Sequence, residues 1–463
     1  MTATDSPREA PRKERAPRRE IFGWAMFDFA NQAYTLLIIT VVFGDLFTTV
    51  IVGDRNDDYR LGNLLWSLAL AVSYFLVVVS GPVCGAVMDY SASKKRFLFA
   101  SYIATVIATA LLVFVEPGDI MLGLILIIAS NFAYSIGENF IAAFLPDLGP
   151  PEDLGKISGF GWALGYIGGL FAAAFTLAFL GDATAENFDR IRWVGPFAAG
   201  FFLLAAVPTF VWVRERGVPR PLPAGANYVT LGFRRVADTV RDIARFRDLA
   251  IFLTSLLFSM GGIYIIITFA FIYGAQVIGW DEHIRNIMFI VVQIAAAAGA
   301  LGFGALQDRL GAKRTYLITL TLWVLAILAI WGTPQVTEWI NETFGVGWEA
   351  QHLFLVVGSL AGVSLGSSQS ASRTLVGLFS PEAKAAEFFG FWGLANKLAG
   401  MFGIVALGLL QTLVGLHGSI LLCAFLFLVA IAICVPVDQA RGQEAARRWD
   451  REELGKMHPA GSA

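Results

Sequence analysis

The 463-residue chain contains 56% hydrophobic and only 15% charged residues, and its formal net charge is −2. Its mean hydropathy is +0.65. This composition excludes an ordinary soluble protein and is typical of an integral membrane protein. The net charge identifies no class of partner, and we expect the chain to sit in a lipid bilayer and to bind no nucleic acid.

Apolar runs recur along the whole sequence, and each is long enough to cross a hydrocarbon core of about 30 Å. We therefore predict an all-α membrane protein with twelve transmembrane helices. The predicted spans are residues 22–52, 63–88, 97–115, 120–146, 156–180, 194–213, 249–279, 286–307, 314–332, 350–373, 386–412 and 418–437.

The first span is too long for a cleaved signal peptide, and no small-residue cleavage site follows it. We therefore expect residues 1–20 to remain as a disordered, basic cytoplasmic tail. The other predicted regions are an N-terminal six-helix bundle at 21–213, a linker at 214–248, a C-terminal six-helix bundle at 249–437 and a cytoplasmic tail at 438–463.

The placement of lysines and arginines predicts the topology. With both termini cytoplasmic, most of the 34 Lys and Arg residues fall in cytoplasmic segments. Arg373, at the end of span 10, is assigned to one of these segments, so that Lys397 is the only cation within a predicted span. This is the positive-inside distribution of a protein with an even number of spans, and in a bacterium it would lie in the inner membrane. The outside loops hold Arg55, Arg60, Arg190, Arg192 and Arg285.

The linker at 214–248 opens with the Pro- and Gly-rich stretch RERGVPRPLPAGAN. Its second part predicts an amphipathic helix with Val236, Val240 and Ile243 on one face and arginines on the rest. Such a helix is typical of the membrane interface, against anionic headgroups. A regulatory role is the alternative.

The two halves of the sequence resemble each other. GAVMDYSASKKR follows span 2 and GALQDRLGAKRT follows span 8, so that Asp89 corresponds to Asp308. ISGFGWALGYIGG in span 5 matches FFGFWGLANKLAG in span 11, so that Tyr166 corresponds to Lys397. Two related six-helix bundles are typical of transporters, with a binding site between them near the middle of the membrane.

These repeated loops resemble the signature loop of the major facilitator superfamily. The blocks WAMFDFANQAY, FLPDLG, GWALGYIGG and QSASRTLVGLFSPEAKAAEFFGFWGLANKLAG are similar to those of one branch. This branch contains the autophagy-related vacuolar amino-acid effluxers and related bacterial permeases. The resemblance implies the major facilitator fold and secondary transport, with amino-acid efflux as the activity best known in the branch. Many relatives carry an Asp early in span 7, where this chain has Ser259 to Gly262.

The resemblance also implies gates. In the superfamily, the Asp of the repeated loop helps to latch the halves together on the cytoplasmic side. It does so against the start of spans 11 and 5, where the helix dipole favours an anion. The alternative is that these are ordinary solvated loop charges. The candidate gating residues are Gly85, Asp89, Lys94, Lys95, Arg96, Gly304, Asp308, Lys313 and Arg314. Small residues in spans 5 and 8 would let two backbones approach closely, and the resemblance implies that these two spans meet across the halves.

Ionisable residues within spans are costly, so each needs a partner or a function. Asp28, Glu138 and Lys397 lie at comparable depths, and a lysine some 16 Å from the cytoplasmic face cannot reach water. We expect Lys397 to lie in a cavity or beside an acid. Trp24, Asp28, Asn31 and Thr35 share one stripe of span 1. The candidate substrate or coupling residues are Asp28, Asn31, Glu138, Lys397, Trp24, Tyr166 and Gln369.

Two interpretations of the acids stay open. Asp28 and Glu138 could carry protons, or they could bind an α-amino group while Lys397 binds a carboxylate. We expect a monomeric, proton-coupled exporter of an amino acid or related metabolite. An exporter of amphipathic drugs or lipids is one alternative, favoured by an aromatic cavity, and a membrane receptor or scaffold is another. The sequence contains no motif for an enzyme, metal site or cofactor, and none is expected.

Overall fold

The computed structural model describes residues 14–53, 60–175, 178–179, 186–222 and 227–457. The predicted tail at 1–20 lies largely outside these residues, and α1 already begins at Arg18. Within the described residues the chain is helical and contains no strand. Many large apolar side chains face outward, including Leu204 at 73% exposure and Leu413 at 81%. Such a surface suits contact with lipid.

The N-terminal half comprises the helices up to Trp212. They are α1 (Arg18–Tyr34), α2 (Phe43–Leu46), α3 (Arg60–Ser91), α4 (Lys94–Ala110), α5 (Ile120–Ala142), α6 (Leu154–Phe175), α7 (Phe188–Ile191), α8 (Val194–Ala205) and α9 (Val207–Trp212). π-Helical segments at Thr35–Val41 and Phe47–Val52 extend α1 and α2, so that Arg18–Val52 forms one continuous candidate span.

The linker contains α10 (Tyr228–Arg241), and the C-terminal half follows it. This half consists of α11 (Arg247–Tyr273), α12 (Glu282–Leu310), α13 (Ala312–Phe344), α14 (Ala350–Phe379), α15 (Ala385–Ser419) and α16 (Leu421–Cys434). The C-terminal tail forms α17 (Gln439–Met457).

Each of the twelve predicted spans overlaps one or more helices, although residues 176, 177 and 180 of the fifth span lie outside the described residues. Within the described ranges, ten helical segments are long and apolar enough to cross a membrane. Two further helical segments, Leu413–Ser419 and Leu421–Cys434, are bent by 66° relative to each other. If they form one span, the number of candidate spans is eleven. The bend follows Gly415, whose φ of 72° is one that glycine adopts readily. The fifth predicted span is the 22-residue helix α6.

Side chains cap the starts of α10 and α12. Asn227 accepts a hydrogen bond from the backbone N–H of Thr230 at 2.8 Å at the start of α10. Asp281 does the same for Ile284 at 2.8 Å at the start of α12, and this bond lowers the pKa of the Asp281 carboxyl.

Two helix pairs form most of the contact between the halves: α3 packs against α15, and α6 packs against α12. A Cβ atom on Gly159 would lie 2.3 Å from the carbonyl oxygen of Ala300, and one on Gly390 would lie 2.6 Å from that of Gly81. Backbones can approach so closely only where one residue lacks a side chain. The predicted contact between spans 5 and 8 is confirmed.

One end of the bundle carries Ala16, the linker helix α10 and the tail helix α17, and we call it the terminal face. There, the backbone N–H of Ala16 donates to the carbonyl of Leu148. Arg441 of the tail pairs with Asp248 at the start of α11, at 2.7 Å. The hydrogen bonds that the Arg441 guanidinium donates to Asp248 raise the pKa of that guanidinium. The tail helix α17 is therefore fastened to the C-terminal half.

Candidate functional site

A small cavity of about 20 Å³ lies between the halves. Such a volume holds about one water molecule, so the halves are closed around it. The N-terminal half contributes residues from α1, α5 and α6, and the C-terminal half contributes residues from α14 and α15. The lining residues are Asp28, Asn31, Gln32, Glu138, Trp162, Arg373 and Trp392.

A buried ion pair joins Asp28 of α1 to Arg373 of α14. The Arg373 Nη1 and Asp28 Oδ2 atoms are 2.7 Å apart, and the side chains are 3% and 12% exposed. Arg373 also donates from Nη2 to the carbonyl of Ser158 at 2.9 Å and from Nε to its hydroxyl at 3.1 Å. The guanidinium therefore ties α1 and α6 of one half to α14 of the other.

Aromatic rings hold the Arg373 guanidinium from two directions. Its carbon atom is 4.5 Å from the ring centroid of Trp24 and 5.1 Å from that of Trp162, which favours cation–π attraction. A Cβ atom on Gly161 would lie 2.6 Å from Asp28 Oδ2, so glycine is required beside the pair. The Trp24 indole donates to the carbonyl of Ile141 at 2.8 Å, so Trp24 supports the pair without lining the cavity.

The sequence interpretation of Arg373 was wrong. The end of span 10 was predicted at residue 373, and Arg373 was counted with the cytoplasmic loop. The helix α14 instead continues to Phe379, and Arg373 is 2% exposed between the halves. Lys397 is thus not the only cation within a span. Asp28 pairs with Arg373 rather than with Lys397, so the three predicted charges do not form one network.

A second ion pair joins Glu138 of α5 to Lys397 of α15. The Lys397 Nζ and Glu138 Oε2 atoms are 3.3 Å apart. Tyr134 donates to the other carboxylate oxygen at 2.9 Å, and the ring of Tyr74 lies 4.9 Å from the ammonium. The acidic partner predicted for Lys397 is therefore present, and this pair also crosses between the halves.

Tyr166 and Gln369 form a third polar link between the halves, because the Tyr166 hydroxyl donates to the side-chain oxygen of Gln369. Tyr166 and Lys397 correspond in the internal repeat but meet different partners. The two equivalent positions thus differ, because Tyr166 makes a neutral hydrogen bond between the halves and Lys397 makes a charged one.

Three polar atoms at the cavity residues have no hydrogen-bond partner in the described part of the chain. They are the indole nitrogens of Trp162 and Trp392 and the side-chain oxygen of Asn31, and all three are buried. Buried indole N–H and amide groups normally find a partner. The cavity therefore presents two donors and one acceptor beside the two ion pairs.

The two repeated loops lie at the terminal face and bind helix starts across the halves. Asp89 accepts hydrogen bonds from the backbone N–H groups of Ala386 and Glu387, at 3.1 and 2.9 Å, at the start of α15. Asp308 accepts one from Gly155 at 3.1 Å at the start of α6. These are the contacts that the resemblance implied, and both favour a carboxylate at a helix N-terminus.

Two glycines let the repeated loops approach the backbone of the opposite half. A Cβ atom on Gly85 would lie 2.2 Å from the carbonyl oxygen of Ala386, and one on Gly304 would lie 2.8 Å from that of Gly155. Each loop is thus in backbone contact with the opposite half.

The loop cations have different partners. Lys94 pairs with Asp147 at 3.2 Å and approaches Asp89 at 4.0 Å. Lys95 donates to the carbonyl of Val213 at 2.8 Å, and Lys313 donates to that of Val435 at 2.7 Å.

Lys95 and Lys313 occupy equivalent places, because each is the second residue of its helix. Arg96 and Arg314 follow at equivalent positions and are exposed.

Comparisons with known proteins agree with this architecture. The sequence pattern of the family described as "Vacuole effluxer Atg22 like" matches residues 65–154 and 151–447. YxiO of Bacillus subtilis, described as an uncharacterized MFS-type transporter, is 25% identical over 432 residues, which cover 92% of this chain and 96% of that protein. Autophagy-related protein 22-1 of Aspergillus niger is 20% identical over 65% of this chain, and the match spans 50% of the fungal protein.

Among solved structures, the proton:xylose symporter XylE of the major facilitator superfamily superposes with a TM-score of 0.67 at 15% identity. The superposition covers 93% of this chain and 98% of the symporter. At this identity the likeness shows the fold, which is that of two related six-helix halves.

Proposed function

Because the chain belongs to the family of Atg22-like vacuole effluxers and is a secondary transporter of the major facilitator type, we propose that it exports an amino acid or a similar small zwitterion by proton-coupled alternating access. Export is favoured by the family description and by the effluxers that the sequence resembles. The positive-inside distribution supports a cytoplasmic terminal face.

One observation carries the choice of substrate: the charges at the cavity are divided between the halves. Asp28 and Glu138 belong to the N-terminal half, and Arg373 and Lys397 belong to the C-terminal half. A zwitterion placed between them could offer its ammonium group to an acid and its carboxylate to a base. The free indole N–H groups of Trp162 and Trp392 could donate further hydrogen bonds to that carboxylate.

The same division supports proton coupling. Both ion pairs cross between the halves, so rocking of the halves would separate the partners. A carboxylate that loses its cation within a membrane protein is costly to keep charged, and a proton neutralises it. Asp28 and Glu138 could thus be loaded from one side of the membrane and discharged to the other.

The lining argues against the alternative of an amphipathic drug or lipid exporter. Of the aromatic residues that would favour it, Trp162 and Trp392 line the cavity. Phe27 and Tyr34 are buried and do not line it. Phe29 stacks on Phe201 with ring centroids 5.4 Å apart, and Tyr166 bonds to Gln369.

The direct test is reconstitution of the purified full chain into proteoliposomes. Labelled amino acids, peptides and amphipathic drugs would be screened for flux with and without a proton gradient. We expect flux of one or more amino acids that depends on the gradient. Ligand binding without flux would favour the receptor alternative, and flux of drugs alone would favour the drug exporter.

Asp28→Asn is expected to abolish gradient-driven flux while leaving exchange of substrate measurable, because the amide cannot take up a proton. Lys397→Met is expected to reduce both gradient-driven flux and substrate exchange, since it removes the cation that pairs with Glu138. Both variants are to be measured in proteoliposomes beside a thermal-unfolding assay. Unchanged gradient-driven flux in Asp28→Asn would exclude Asp28 as a proton site. A lower unfolding temperature with normal flux in Lys397→Met would mean that Lys397 has only a structural role.

Asp89→Ala is expected to slow transport at least about tenfold, because two buried N–H groups at the start of α15 lose an acceptor worth roughly 1–3 kcal/mol each. Asp89→Asn keeps one acceptor and should fall between this variant and wild type. The measurement is the initial rate of flux at matched protein density. A wild-type rate for Asp89→Ala would mean that the carboxylate is an ordinary loop charge.

A further inference from the structure

The linker helix α10 lies across the gate formed by α3 and α15. Gly232 packs on α3, where a Cβ atom would lie 2.9 Å from Val83 Cγ1. Thr239, two turns later, accepts a hydrogen bond from Lys384, next to the start of α15. One short helix therefore contacts both halves at the point where Asp89 binds.

Arg235 lies between these two contacts and faces the gate. Its guanidinium is 5.6 Å from the ring of Tyr90 in α3, and its Nε is 3.8 Å from the carboxylate of Glu387 in α15. The Glu387 side chain is fully buried, and its second oxygen is 3.6 Å from Lys384. Because α10 packs mainly on α3, we expect it to move with α3. Separation of α3 from α15 would then take Arg235 away from this buried carboxylate, which is costly.

The outward side of α10 is apolar. Val229, Phe233 and Val240 are 61%, 54% and 54% exposed, and Val236 is half-buried. At about 100° per residue these four side chains fall within an arc of roughly 60°. The exposed Arg234 and Arg241 lie roughly 120° away from this apolar stripe.

The position of α10 brings this stripe to the membrane surface. Val83, which Gly232 contacts, lies eight residues before the end of α3, or about 12 Å along the helix axis. Helices at the interface bury their apolar side about 5–10 Å into the headgroup region. The helix α10 thus packs beside the end of a membrane-spanning helix, one turn from Val79, which is 49% exposed. The arginines beside the stripe match anionic phosphates in charge.

We propose that α10 binds the surface of an anionic phospholipid membrane, and that this binding holds Arg235 against Glu387 and so stabilises the closed gate. The partner is the bilayer itself rather than a soluble phosphate. Only a lipid surface offers both an apolar region for the stripe and anionic phosphates for the arginines. This inference is independent of the identity of the transported solute.

The first test measures where α10 lies. The full chain, with its native cysteines replaced, would carry a fluorescent label at Val229→Cys or at Asp238→Cys, in vesicles of phosphatidylcholine with or without phosphatidylglycerol. We expect a lipid-attached quencher to reach the label at 229 and a water-soluble quencher to reach the label at 238. Equal quenching of both labels by the water-soluble quencher would overturn the proposal.

The second test measures the gate. Spin labels at the exposed positions Arg96→Cys and Arg314→Cys report the separation of the halves at the terminal face. Arg235→Gln is expected to lengthen this distance in both lipid mixtures, whereas Arg234→Gln with Arg241→Gln should lengthen it only in vesicles that contain phosphatidylglycerol. Arg448→Gln, an exposed arginine on α17, is the matched control. Distances that do not respond to lipid in any variant would overturn the link to the gate, even if flux is normal.

Discussion

Arg373→Met is expected to destabilise the folded protein by about 3–5 kcal/mol and to abolish transport. The substitution leaves the Asp28 carboxylate without its cation in a buried site, and removing one partner of a buried ion pair costs that much. It also removes the hydrogen bonds to Ser158. Thermal unfolding in detergent and flux in proteoliposomes measure the two effects.

A double variant separates stability from function. Asp28→Asn with Arg373→Met removes both charges, so much of the lost stability should return, whereas flux should not. Arg245→Met serves as the control, because Arg245 pairs with Glu452 at 3.2 Å on the surface, where both side chains are about half exposed. Such a pair contributes about 0–1 kcal/mol, so this variant should resemble wild type. Normal flux in the double variant would exclude the Asp28–Arg373 pair from the transport mechanism.

Gly85→Ala is expected to hold the terminal face open. The new Cβ atom would lie 2.2 Å from the carbonyl oxygen of Ala386, and backbone atoms cannot give way cheaply. Overpacking of this kind costs about 1–3 kcal/mol, which changes the closed-to-open ratio by roughly 5- to 150-fold. The spin-label distance between positions 96 and 314 should therefore lengthen, and flux should fall.

Gly200→Ala is the matched control, since it lies in α8 and a Cβ atom there has no neighbour within 4 Å. We expect it to fold and transport as wild type does, because alanine favours a helix more than glycine does. A Gly85→Ala protein with wild-type distances and flux would contradict the assignment of this contact to the gate.

The helices, the two halves and the gate contacts could be predicted from the sequence because each leaves a local pattern. A span needs a run of apolar residues of fixed minimum length. The contact of Asp89 with the start of α15 follows from a repeated loop and from the preference of helix starts for anions. The spans can thus be predicted from their position along the chain, and the gate contacts from the family resemblance.

The pairing within the site could not be predicted in the same way. Hydropathy indicates how deep Asp28 and Lys397 lie, but not how each helix is rotated about its axis. Arg373 was missed because the apolar run fades into Ser, Gln and Arg while α14 continues, protected by protein contacts rather than by lipid. A long helix surrounded by protein need not end where its hydropathy falls.

The division of charge between the halves has a consequence for assembly. Asp28 and Glu138 both meet bases of the opposite half, and neither half supplies both members of a pair. Two copies of the N-terminal half would leave Asp28 and Glu138 without Arg373 and Lys397, and two copies of the C-terminal half would leave both bases without their acids. The halves share a backbone plan, yet electrostatics disfavours self-association of either one. Expressed as separate polypeptides, they should recognise each other during membrane insertion and reject copies of themselves.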